Sequence, residues 1–180
     1  MRVTAGRLRG RRLDAPRGLR VRPTYDRVRE SVFAILNPSV EGARVLDLFA
    51  GSGALAIEAI SRGAERATLV EKDPAVLRVA AANVERLGLS EECDLLRSDA
   101  LRYIGRDASS ERFDMVFVDP PYGSGLQEPT LGLLSVWNGL SADGVVVLER
   151  ATGRPTAPSY GRLQRSRTER YGSTEVDIYR

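Results

Sequence analysis

Val45-Leu46-Asp47-Leu48-Phe49-Ala50-Gly51-Ser52-Gly53-Ala54-Leu55-Ala56 joins an apolar run holding one acid, two closely spaced glycines and residues suited to a helix. The short, branched or aromatic run predicts a buried strand over 45–49. Residues 53–62 follow as a helix that Gly63 closes. The alternation continues outward. Residues 67–71 predict a second strand, 74–87 a helix between Pro74 and Gly88, and 93–96 a third strand. A short helix over 100–104, a strand over 113–118, a mostly helical 126–140 and a strand over 145–148 complete the run. Regular alternation implies an α/β fold with a doubly wound, mainly parallel sheet and right-handed crossovers. Residues 162–171 and 174–179 meet at Gly172-Ser173 as an antiparallel hairpin, which brings the sheet to seven strands. Upstream, Pro23 opens a helix with Thr24 or Asp26 as its cap. Its Val28, Val32, Ile35 and Leu36 share one face, and Asn37-Pro38 stops it.

Ligands of such sheets bind beyond the carboxyl ends of the strands. There the chain places Gly51 and Gly53, which allow close backbone approach, and Glu71, which suits a ribose diol. The glycines and the acid alone fit a nicotinamide dinucleotide, and a tight strand–helix turn explains the glycines without any ligand. Three further features favour S-adenosylmethionine (SAM). Asp47 precedes the glycines, where a carboxylate meets a zwitterionic amino acid better than a pyrophosphate. Ser98-Asp99-Ala100 follows the third strand and offers an acceptor for an adenine amine. The fourth strand runs into Asp119-Pro120-Pro121-Tyr122. Two prolines fix φ and carry no N–H, so this turn is a stiff rim of carboxylate, carbonyl and flat ring. Such a rim suits a planar ligand with an NH2 group, although Asp119 as a simple cap is the commoner use of the triplet.

The chain has 180 residues, 42% of them hydrophobic, enough for one globular domain. One cysteine, Cys93, forbids an intrachain disulfide, and the absence of histidine excludes His-built metal sites and Ser-His or Cys-His catalysis. No apolar leader opens the sequence and no run has membrane-spanning length, so a cytoplasmic protein without membrane contact is expected. Residues 1–30 hold ten arginines against Asp14, Asp26 and Glu30, a formal +7 in a chain of net +3, so the remainder carries −4. A second basic cluster, Arg150, Arg154, Arg162, Arg165, Arg167 and Arg170, lies late. A basic arm on an acidic body suggests nucleic acid, with Arg7, Arg9, Arg11, Arg12 and Arg27 as its contacts. Val3-Thr4-Ala5 and Arg11-Arg12-Leu13 are spaced to pair across Gly6–Gly10, so 1–21 is expected as a small hairpin arm and 22–180 as the main domain. Deleting 1–20 is expected to weaken RNA binding and leave cofactor affinity little changed.

The Asp47–Gly53 stretch with Asp119-Pro120-Pro121-Tyr122 resembles the class I SAM-dependent amino-methyltransferases, whose sheet is Rossmann-like. With Arg22-Pro23-Thr24-Tyr25-Asp26-Arg27-Val28-Arg29-Glu30 upstream, and Gly6-Arg7-Leu8-Arg9-Gly10-Arg11 before that, residues 2–180 resemble the RsmD family. Its members are bacterial 16S ribosomal RNA guanine-N2 methyltransferases. The resemblance implies that Asp47, Phe49, Gly51 and Gly53 line the methionine part of SAM. It gives Glu71 to the ribose, Asp99 and Ala100 to the adenine, and Arg22, Pro23 and Thr24 to the opposite side of the cofactor. Asp119, Pro120, Pro121 and Tyr122 become catalytic, with the Asp119 carboxylate and the Pro120 carbonyl each accepting one amine N–H and Tyr122 stacking on the base. The implied substrate is 16S rRNA within a 30S subunit or assembly intermediate, met by a monomer without a metal. DNA or RNA adenine-N6 and protein glutamine-N5 methyltransferases use similar rims, though the glutamine enzymes usually carry Asn where this chain has Asp119. Cytosine-C5 methylation needs a nucleophilic cysteine, and Cys93 reads as core instead.

Overall fold

The computed structural model describes residues 1–16, 23–106 and 111–180, with backbone alone for 23–25. Helix α1, Pro23–Leu36, precedes the alternating part: β1 Arg44–Asp47, α2 Ala54–Ser61, β2 Arg66–Glu71, α3 Pro74–Arg86 and β3 Cys93–Arg97. Then come α4 Ala100–Ile104, β4 Phe113–Val118, α5 Gln127–Leu134 and β5 Leu140–Ala151. Strands β6 Ser159–Tyr160, β7 Leu163–Tyr171 and β8 Thr174–Tyr179 close the chain. The sheet runs β3-β2-β1-β4-β5-β8-β7-β6, parallel from β3 to β5 and antiparallel beyond. It has eight strands rather than the expected seven because Ser159 and Tyr160 also pair with β7.

Alternate residues of the strands feed two cores, since successive side chains point to opposite faces. Met115 and Phe117 of β4 join Val45, Leu69 and the residues of α1 to α3 on one face. Val116 and Val118 join Leu46, Val70 and the residues of α4 and α5 on the other. Phe33, not singled out by the α1 pattern, is fully buried and packs at 5.5 Å on Phe117. Cys93 is buried and its thiol pushed up to about 12 by burial, as suits a core residue.

Three boundaries differ from expectation. The helix expected over 126–140 ends at Leu134, because Trp137 turns in to stack on Phe113 at 5.9 Å and Arg162 binds the Trp137 and Leu140 carbonyls at 2.7 and 3.2 Å. Leu140 then pairs with Phe113, so β5 begins five residues before the expected strand. Strand β1 ends at Asp47, and Leu48 and Phe49 already belong to the turn.

The first fourteen residues form the expected hairpin, with Arg2 opposite Arg12, and they dock on α2 and α3. Val3 and Leu13 are buried. Gly6, at φ 76°, lies so close to the end of α2 that a Cβ there would sit 1.8 Å from the Ser61 carbonyl. That contact lets the Arg7 N–H cap the Ser61 carbonyl at 2.8 Å. Glu58 of α2, 0% exposed, accepts from the Thr4 N–H at 2.8 Å, the Thr4 hydroxyl at 2.6 Å and the Ala5 N–H at 3.0 Å. Arg62 and Arg29 complete its shell at 2.8 and 3.2 Å. Burial alone would raise its pKa, but Thr4 and the two arginines hold it below the usual range. Asn83 of α3 binds both backbone polar groups of Asp14 and, at 2.9 Å, the Ser52 carbonyl of the glycine loop.

Candidate active site

A cavity of about 900 Å³ opens at the carboxyl ends of β1, β2, β3, β4 and β5, beside the switch point between β1 and β4. Each of these five parallel strands delivers an acid to it: Asp47, Glu71, Asp99, Asp119 and Glu149. The glycine loop bends under it. Gly53, at φ 79°, has no room for a side chain, since a Cβ would lie 2.9 Å from Leu69. Gly51, at φ 55°, faces the open cavity and its N–H donates to Glu71 at 3.1 Å.

Asp47 is 1% exposed, and among the described residues its buried Oδ1 has no hydrogen-bond partner. Burial, with the nearby Glu71 charge adding to it and the Phe49 and Ala56 amides opposing it, pushes the carboxyl up to about 7. An orphaned anionic oxygen in a dry site calls for a cation or a strong donor. Because its ordinary value is 3.8, the group binds its proton more tightly folded than unfolded. The stability it contributes is present below pH 3.8 and is lost as pH rises through about 7. Asp47→Asn is therefore expected to exceed wild type in stability at pH 8 by about 2–4 kcal/mol, the gap closing near pH 4 in melting curves.

Glu71 spans the loop and the next helix, its second oxygen accepting from the Asp73 N–H at 2.9 Å. Asp99 serves α4 as its cap, Oδ1 accepting from Leu101 and Arg102 at 3.1 and 3.2 Å, while Lys72 stands 3.2 Å from Oδ2. The Arg102 amide, followed by Lys72, holds it below the usual range. It thus shapes the cavity wall as well as lining it. Phe49 and Ala100 also line the cavity. Arg22 lies outside the described residues, as do the side chains of Pro23 and Thr24.

Asp119 is half-buried at the rim, and burial, then the charges of Glu149 and Asp47, raise its pKa well above the usual carboxylate range. Ser124 closes the turn by donating to the Pro121 carbonyl at 3.1 Å, and among the described residues nothing donates to the Pro120 carbonyl. Tyr122 is 51% exposed, yet its hydroxyl is tied down. It donates to Glu149 at 3.1 Å and lies 3.0 Å from the Thr174 hydroxyl. Glu149, Met1 and Arg29 are cavity residues not foreseen in the sequence. Glu149 ends an apolar run just as Glu71 and Asp119 do, and that position was its readable signal. Of the arm residues, Arg9, Arg11 and Arg12 are exposed, Arg27 is exposed on α1, and Arg7 pairs with Glu92. Deletion of the arm would also disturb the cavity, because Met1 and Pro16 line it.

Several acids around an apolar cleft, one with an orphaned oxygen, fit a cationic amino acid joined to a nucleoside. A family model described as conserved hypothetical protein 95 matches residues 1–180. The chain is 39% identical to the ribosomal RNA small subunit methyltransferase D of Escherichia coli (strain K12), over 93% of this chain and 84% of that protein. It is 35% identical to the protein of the same name from Haemophilus influenzae, over 86% and 81%. A solved methyltransferase from Escherichia coli superposes with a TM-score of 0.86 at 36% identity, over 99% of this chain and 96% of that one. A T. thermophilus 16S rRNA N2 methyltransferase, RsmC, solved with AdoMet and guanosine, shares the fold, with a TM-score of 0.71 at 24% identity over 91% and 44%.

Proposed function

The chain belongs to the RsmD family of SAM-dependent rRNA methyltransferases, and on that footing we propose that it methylates the exocyclic N2 amine of a guanine in 16S rRNA. The observation that carries this reading is the shared cavity: the amine-holding rim Asp119–Tyr122 and the orphaned Asp47 carboxylate face one space. When bound, SAM supplies an electrophilic methyl group. Asp47 and Glu71 would hold its ammonium and ribose ends, with Gly51 leaving room for the backbone approach. Asp119 and the Pro120 carbonyl each accept one N–H, which frees the nitrogen lone pair that the base ring otherwise delocalises. The proton shed by the nitrogen passes to Asp119. With a cationic cofactor held in the cavity, Asp119 would be favoured in its ionised form and so enter the reaction as an acceptor. Tyr122 stacks on the base, which enters unstacked from the RNA. Positioning supplies most of the rate.

Exposed Arg9, Arg11 and Arg12 are assigned to RNA phosphates, as is Arg27, exposed on α1. Reversing the first three to Glu is expected to weaken rRNA binding and lower its salt slope by about two to three, while SAM still raises the melting temperature. The function is tested by labelled-methyl transfer from SAM to unmodified 16S rRNA, naked and as 30S particles or assembly intermediates. Mapping the product decides it: label on guanine N2 supports the reading, and label on adenine N6 replaces it. Stabilisation by NADH instead of SAM would point to an oxidoreductase.

A further inference from the structure

Glu149 has no place in the transfer step just described, yet it stands next to it. Strands β4 and β5 pair in parallel, Val118 opposite Leu148; Asp119 follows the end of β4, Glu149 is the next residue along β5, where it pairs with Val176 of β8, and both line the same cavity. One oxygen of Glu149, Oε1, accepts from the Tyr122 hydroxyl at 3.1 Å. Among the described residues nothing donates to Oε2, and no arginine or lysine pairs with the carboxylate. A half-buried acid beside another acid, with no cation, is costly to keep. Burial raises its pKa accordingly.

We propose that Glu149 selects the base, its free oxygen accepting the ring N1–H that lies beside the amine of guanine. This rests on the guanine-N2 reading and deepens it. An ionised carboxylate only accepts hydrogen bonds. With Asp119 and Pro120 holding the two amine hydrogens, the neighbouring ring position meets the next acceptor group. In guanine that position is a donor, N1–H. In adenine the position beside the amine is the bare acceptor N1, and in cytosine the bare acceptor N3. Two acceptors facing each other lose a hydrogen bond and leave a desolvated anion unpaired, so the wrong base is refused at this one point. The tie between Oε1 and the Tyr122 hydroxyl, shared with Thr174, sets the carboxylate and the stacking ring in one fixed relation.

The test uses rRNA carrying either guanine or 2-aminopurine at the mapped target nucleotide. 2-Aminopurine keeps the 2-amine, has a bare N1 and lacks O6, so the proposed contact is isolated by the comparison of wild type with Glu149→Gln, which changes only the group facing N1. Wild type is expected to favour guanine by about 100-fold in kcat/KM. Glu149→Gln keeps a carbonyl for Tyr122 and can turn an amide donor toward N1. The preference should then shrink to about tenfold or less, through improved turnover of the 2-aminopurine RNA. Rescue by the analogue is a result that a merely structural role would not produce. A wild-type ratio near one overturns the proposal without any variant. A Glu149→Gln enzyme with an unchanged ratio, or one inactive on both RNAs, also overturns it. Transfer to neither RNA by wild type sinks the guanine reading itself, which separates the two failures.

Discussion

Asp119→Ala is expected to lower kcat by about 1000-fold or more while SAM continues to raise the melting temperature. In the proposed reaction the carboxylate removed is the one group at the rim that would both accept an amine hydrogen and take up a proton. Asp47 and Glu71, which lie on β1 and β2, stay in place, so cofactor affinity should change little. Asp119→Asn should retain a larger share of activity than the alanine variant, because an amide carbonyl still accepts one N–H. The check is single-turnover transfer at saturating SAM, paired with a thermal-shift titration. Near-normal turnover by Asp119→Ala would remove the rim from the chemistry.

The other large effect lies far from the reaction. Glu58→Ala is expected to cost about 3–5 kcal/mol and roughly 10 °C in melting temperature. It removes one of the two carboxylates paired with buried Arg29, which keeps Asp26, and strips the acceptor from the N–H groups of Thr4 and Ala5. Glu58 is held below its ordinary value of 4.5 in the folded chain, so its contribution is present above that pH and lost as pH falls through the folded value. The gap between wild type and variant should therefore narrow in acid. Equal melting curves at pH 7 would show that the arm does not depend on this hub.

Much of the catalytic end was legible because strand ends are local. An apolar run followed by an acid identifies a carboxylate at the mouth of a parallel sheet; Glu71 and Asp119 obey that rule, while Asp47 is marked by the glycines that follow its run. Glu149 obeys it too, but Arg150 beside it groups by sequence with the late basic cluster. Arg150 is in fact buried on Asp177. What stayed hidden depended on distant partners. Leu133, Trp137 and Leu140 keep helical spacing, and only the aromatic stack on Phe113 and the bonds from Arg162 break the helix there. Glu58 sits in Ala-Ile-Glu-Ala-Ile, where a charged residue reads as a solvent-facing turn of a helix. The donors that surround it come from a hairpin far away in the chain. Asp99 looked like a ligand acceptor, and its local duty as the cap of α4 emerges only with the turn that follows it.

The docked arm also sets an order of events during synthesis. Thr4 meets Glu58 across 54 residues, and Asp14 meets Asn83 across 69. Neither contact can form until its partner has left the ribosome, and an isolated two-stranded hairpin is only marginally stable. Translation proceeds at about 5–20 residues per second, so the hairpin waits several seconds for α2 and α3. It is the earlier-made element and the later-placed one, and during that interval its arginines are free while its apolar residues Val3 and Leu13 have no core to enter.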